Sequence, residues 1–171
     1  MNTTTSLPRL GVDIGRVIIH GDGPDTSFIG GSDEQAMRTP AMDGAFPALA
    51  RLCQRFEGRV WLVSKCGQRI EQRSRRWLER QDFFRATGIP DTNLVFCRER
   101  WMKAPICRDL AIGWFVDDRA DVLVPMAGIV ANRFLFGASA SSVAGLVPVP
   151  TWASAEPAIL ATLEADRRRA G

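Results

Sequence analysis

The stretch Leu10-Gly11-Val12-Asp13-Ile14-Gly15-Arg16-Val17-Ile18-Ile19-His20 places one carboxylate inside an otherwise apolar run. A charged Asp left unpaired in such surroundings is costly, so Asp13 needs a metal, a partner or an open strand end. Asp followed shortly by Gly also caps turns, and Gly15 leaves that reading open. Two later apolar runs also end in polar groups: Val60-Trp61-Leu62-Val63 runs into Ser64, and Ile112-Gly113-Trp114-Phe115-Val116 runs into the paired carboxylates Asp117-Asp118. Other chemistries are poorly provided for. His20 is the one histidine in the sequence, which excludes His-rich metal sites and leaves little room for a Ser-His-Asp triad. The four cysteines, Cys53, Cys66, Cys97 and Cys107, show no CxxC or zinc-ribbon spacing and read as free thiols of a reducing compartment.

The elements that must position these groups follow from hydrophobic patterning. Leu10–Ile19 reads as a buried, mostly β-branched strand. Gly21 to about Pro40 is rich in Gly, Asp, Ser, Thr and Pro, and reads as a long loop or a very small cap over the site. Ala45–Phe56 predicts a helix with Phe46, Leu49, Leu52, Cys53 and Phe56 on one face. Val60–Ser64 is a second strand. Gln68–Arg80 is a helix whose Ile70, Trp77 and Leu78 face inward, with Arg69, Arg73, Arg76 and Arg80 on solvated faces.

Strands over Asn93–Cys97, Ile112–Val116 and Ala131–Phe136 alternate with helical stretches near Ile106–Leu110 and Ala120–Met126. Val147–Pro150 is extended, and Ser154 caps a last helix to about Arg167, with Arg167-Arg168-Arg169 suiting its C-terminus. This alternation predicts a single α/β domain: a three-layer, Rossmann-like parallel sheet with helices on both faces. Ligands of such sheets gather at the carboxyl ends of the strands near the topological switch point, where Asp13, Ser64, Asp117 and Asp118 converge.

A chain of 171 residues with 46% hydrophobic and 24% charged residues is ordinary for one globular domain. Its net charge of +3 and pI near 8.9 suit an anionic substrate and are too weak alone to argue for nucleic acid. No apolar run approaches the roughly 20 residues of a membrane span, and Met1–Leu10 lacks a signal-peptide core. The expectation is a cytoplasmic protein with neither membrane nor nucleic acid as its partner; the oligomeric state stays open.

The pieces Val12-Asp13-Ile14-Gly15-Arg16-Val17, the strand-ending Ser64, Lys103, and Phe115-Val116-Asp117-Asp118-Arg119-Ala120-Asp121 occur in an order that resembles the haloacid dehalogenase-like (HAD) hydrolase superfamily. They span roughly Arg9 to Gly137, and the first and last are the specific ones. The resemblance implies a Mg²⁺-dependent phosphatase working through an aspartyl-phosphate on a small phosphorylated metabolite. Asp13 would be nucleophile and metal ligand, Gly15 would offer a backbone carbonyl to Mg²⁺, and Asp117 and Asp118 would complete the metal site, Asp117 more directly. Ser64, Lys65 and Arg16 would bind substrate, and Lys103 would offset the charge of nucleophile and phosphate.

Gly15 departs from the family's usual second Asp, the general acid. A sugar-phosphate phosphatase branch shows a similar Asp-Leu-Gly-Asn-Val pattern. Family dehalogenases also lack that Asp but work without metal, which fits poorly with Asp117-Asp118; phosphonatases need a cap lysine, and no Lys precedes Lys65. Arg16, His20, Asp22 and Asp25 are the candidate stand-ins for the acid. The Asp117-Asp118-Arg119 string also resembles the 5′(3′)-deoxyribonucleotidase branch, which adds nucleotides to the substrate classes. The alternative reading is a degenerate member that binds phosphate or a phosphorylated partner without turnover.

Overall fold

A computed structural model describes residues 7–21 and 31–170. Six strands form one all-parallel sheet: β1 (Leu10–Val12), β2 (Val60–Lys65), β3 (Leu94–Cys97), β4 (Trp114–Asp117), β5 (Asn132–Phe136) and β6 (Leu146–Val149). Their spatial order is β3-β2-β1-β4-β5-β6. The chain therefore winds outward from β1 to one edge, returns to β4, and winds to the other edge. The switch point falls between β1 and β4, where Val12 lies opposite Val116.

Side chains alternate across the sheet and feed two cores. On one face Leu10, Val12, Leu62, Trp114, Val116 and Phe134 pack with helices α2 (Ala45–Arg55), α3 (Gln68–Arg80), α4 (Phe83–Thr87) and α7 (Trp152–Ala170). On the other, Val63 and Phe115 pack with α5 (Lys103–Asp109) and α6 (Ala120–Leu123). The result is the expected three-layer α/β sandwich. Gly11 is fixed by this packing: a Cβ there would lie 2.4 Å from Phe115 Cδ2, so the Phe115 ring occupies the space a side chain would need.

Four expectations are corrected. The first strand ends at Val12, not at Ile19. Residues 14–19 instead form a tight turn in which the Ile18 and Ile19 amides both donate to the Ile14 carbonyl, at 2.9 and 3.0 Å, with Arg16 at φ 60°. Ile14, Val17, Ile18 and Ile19 are all fully buried, and an apolar run reports burial before it reports conformation. The Trp152 indole closes the turn by donating to the Val17 carbonyl at 2.7 Å.

The stretch Val147–Pro150, expected only to be extended, overlaps an edge strand, β6 (Leu146–Val149). Pro148, which has no amide hydrogen to donate, is tolerated there because β6 pairs on one side with β5. The last helix starts at Trp152, ahead of the expected cap; Ser154 sits in its first turn and its Oγ accepts from the Thr151 amide at 3.1 Å.

Arg73, placed on a solvated face by helical spacing, is 3% exposed and donates to Asp33 Oδ1 at 3.0 Å and to the Gly31 carbonyl at 2.9 Å. Asp33 opens α1 (Asp33–Met37), a short helix within the stretch read as loop or cap. Ser32 and Gln35 form its capping box, and α1 packs on α3 with Ala36 and Met37 buried. Among the described residues no helix is long and apolar enough to cross a membrane.

Candidate active site

Parallel pairing sets the site. Val12 and Val116 are in register, so Asp13, one residue past β1, falls beside Asp117, the last residue of β4; the Asp13 amide donates to the Val116 carbonyl at 2.9 Å. Carboxylate oxygens of Asp13, Asp117 and Asp118 lie within 4.8 Å of one another. Lys103, the first residue of α5, is 2% exposed and sends Nζ between two of them, 2.9 Å from Asp13 Oδ1 and 2.7 Å from Asp117 Oδ2. The ammonium also sits 5.7 Å from the centre of the Phe115 ring, the ring that lies over Gly11.

Electrostatics follow from this crowding. Burial alone would lower the Lys103 pKa, but the Asp117 and Asp13 carboxylates outweigh it and hold the ammonium above its ordinary value. Burial pushes Asp117 up; Lys103 opposes that shift and Asp13 adds to it. Burial and Asp13 likewise push Asp118 up, against Arg16 and Lys103. Lys103 and Asp117 are best described as a charged pair, because both Asp117 oxygens accept strong donors: Oδ2 from Lys103 and Oδ1 from the Arg119 amide at 3.0 Å.

A cavity of about 130 Å³ opens over this cluster. Asp13, Gly15, Arg16, Ser64, Lys65, Lys103 and Asp118 all line it, so every residue singled out from the sequence reaches it except Asp117. Asp117 is fully buried behind Lys103, whereas Asp118 faces the opening. The cavity is thus lined by Asp118 and not by Asp117, although all three carboxylates lie close enough together to share one ion. Of the candidate stand-ins for the missing acid, Arg16 lines the cavity, His20 does not, and Asp22 and Asp25 lie outside the described residues.

Arg100 and Arg119 also line the cavity and were not singled out from the sequence. Both had a signal: Arg119 follows the carboxylate pair directly, and Arg100 lies in the polar, basic stretch Arg98-Glu99-Arg100 just ahead of Lys103. Cys66 lines the cavity too, but burial, with Glu71 next in effect, pushes its thiol up to about 12, so it is no nucleophile at neutral pH.

No protein-family model matches the chain, and a search of curated proteins finds no match. Among solved structures, the chain is similar to a haloacid dehalogenase-like family hydrolase from Xanthomonas campestris, with a TM-score of 0.63 at 12% identity, over 95% of this chain and 98% of that one. At that identity the likeness speaks to architecture: the chain has the haloacid dehalogenase-like fold.

Proposed function

We propose that the protein is a Mg²⁺-dependent phosphomonoester hydrolase that works through an aspartyl-phosphate on Asp13, with a nucleotide or sugar phosphate as substrate. The observation that carries this reading is the convergence of Asp13, Asp117 and Asp118, with Lys103 bridging the first two, beside a small cavity that Asp13, Lys103 and Asp118 line. The cluster also suits a hard divalent cation. Asp13 and Asp118 present carboxylate oxygens to the cavity beside Gly15, an all-oxygen donor set of the kind such ions prefer. Asp13, Asp118 and the Gly15 carbonyl would hold the ion, with Asp117 supporting them through Lys103. When bound, Mg²⁺ would supply positive charge to the phosphoryl oxygens.

The chain's own residues supply the rest. Lys103 neutralises and orients the Asp13 carboxylate. An Asp13 oxygen attacks phosphorus in line with the leaving oxygen; the new P–O bond forms as the bond to the leaving group breaks, and the leaving oxygen takes its proton from solvent water. Water then hydrolyses the acyl phosphate, restoring the Asp13 carboxylate and releasing inorganic phosphate. Ser64, Lys65 and Arg16, which line the same cavity, hold the non-bridging oxygens. Phosphate release from an aryl phosphate that requires Mg²⁺ and is lost in Asp13→Asn is the expected result; equal activity in that variant would refute the proposal.

One observation favours a second reading. Among the described residues lining the cavity, the carboxylates are Asp13 and Asp118, both already assigned, and Gly15 offers no acid. General acid–base help is typically worth about 10²–10⁴-fold, so its loss could leave a protein that binds phosphate without turnover. In that case Mg²⁺ and phosphate together raise the melting temperature while no phosphate ester in a broad panel is hydrolysed.

A further inference from the structure

Trp101 is 68% exposed, the most exposed large apolar side chain among the described residues, while Trp77, Trp114 and Trp152 are at most 5% exposed. It sits on the 3₁₀ turn Arg100–Met102, directly ahead of Lys103. That turn is anchored by the site itself, because the Lys103 ammonium is locked between Asp13 and Asp117.

The indole lines a groove of about 300 Å³ that adjoins the phosphate cavity; Lys65, Arg100 and Val122 line both. The groove also carries the carboxylates of Glu99 and Asp121, the latter held by Arg119 at 2.7 and 2.8 Å. An exposed aromatic plane, with cations at the junction to an anion site and the Glu99 carboxylate in the same groove as an acceptor, is a layout for a flat ring bearing N–H or O–H donors. A bare sugar phosphate could fill the cavity of about 130 Å³ and would leave the indole unused.

We infer that the groove receives the leaving group of the substrate and that this group is a nucleoside, its base stacked on Trp101 while its phosphate lies over Asp13. The inference rests on the phosphomonoesterase reading and narrows it from nucleotide or sugar phosphate to nucleotide. Stacking against a protein aromatic is sequence-tolerant, so several bases would be accepted.

The test compares kcat/KM for nucleoside 5′-monophosphates and for ribose 5-phosphate in the native chain, Trp101→Ala and Trp101→Phe. The native chain prefers the nucleotides. Trp101→Ala lowers the nucleotide-to-ribose-phosphate ratio about ten-fold, through KM, and Trp101→Phe restores most of it. A second arm needs no turnover: nucleoside monophosphate quenches tryptophan fluorescence of Asp13→Asn, and the quench disappears in Asp13→Asn with Trp101→Ala.

Ribose 5-phosphate hydrolysed as well as nucleotides, with a ratio unmoved by Trp101→Ala, overturns the inference and leaves the phosphatase reading standing. No turnover with a Trp101-dependent quench refutes the phosphatase reading and the leaving-group role with it, and supports only the stacking of a nucleoside on Trp101. Neither turnover nor quench overturns both.

Discussion

Lys103→Met tests the electrostatic centre of the site. The ammonium is 2.7 Å from Asp117 Oδ2 and 2.9 Å from Asp13 Oδ1, and only 2% exposed. At an effective dielectric of about 20, a charge pair at such separations attracts by about 6 kcal/mol, and each buried ion gives up several kcal/mol of hydration. The net worth of the cluster is therefore modest. Removing the cation alone is another matter, since it strands a fully buried carboxylate without its counter-charge. Breaking a buried pair from one side costs about 3–5 kcal/mol, the loss expected in urea unfolding of Lys103→Met at pH 7.

Asp117→Asn in the Lys103→Met background recovers part of the loss, because it removes the stranded charge. The two changes are then non-additive, with a coupling in the range of about 0.5–3 kcal/mol for contacting residues. A loss below about 1 kcal/mol in Lys103→Met, the scale of an exposed pair, would refute the reasoning, as would strict additivity of the two substitutions.

Gly11→Ala drives a methyl into the Phe115 ring, which also backs Lys103, and costs about 1–3 kcal/mol; Gly113→Ala, with nothing within 4 Å of its would-be Cβ, is the control with the smaller loss. The Arg73 and Arg76 guanidiniums hold the Asp33 carboxyl below its ordinary 3.8. A depressed carboxyl stabilises the fold above its unfolded pKa and loses that contribution as pH falls through the folded value. Stability should thus drop below about pH 4, and Asp33→Asn should flatten that part of the profile measured by denaturant unfolding. All four thiols are buried and pushed up, Cys66 and Cys107 to about 12, so Ellman's reagent at pH 8 should label them only as the chain unfolds; one thiol reacting within seconds would contradict their placement.

Where sequence patterning succeeded, the pattern carried one meaning. Helix α3 spans Gln68–Arg80 as expected, because Ile70, Trp77 and Leu78 fall on one helical face (i, i+7, i+8) after Gly67. Strand β2 overran its expectation by one residue, Lys65, which still left Ser64 near the strand end. The stretch after Asp13 failed for a physical reason: Val17-Ile18-Ile19 is as apolar as a strand, but it is buried by a turn that needs Arg16 at positive φ and the distant Trp152 indole, and no local pattern encodes either. Arg73 misled similarly, since its partners Asp33 and Gly31 lie about 40 residues away.

The candidate site's residues were legible as types and order, and the register between β1 and β4 brought Asp13 beside Asp117 and Asp118. The inward turn of Asp117 was not legible. It depends on Lys103 and the Arg119 amide claiming both its oxygens.

The most direct test of the central claim is chemical trapping at Asp13. Substrate and Mg²⁺ are mixed with the protein, the reaction is quenched with borohydride, and the peptide carrying residue 13 is sequenced by mass spectrometry. An aspartyl-phosphate is reduced to homoserine, so homoserine at position 13, dependent on both substrate and Mg²⁺, is the predicted result. Substrate turning over with Asp13 unmodified, or with the label on another carboxylate, would contradict it.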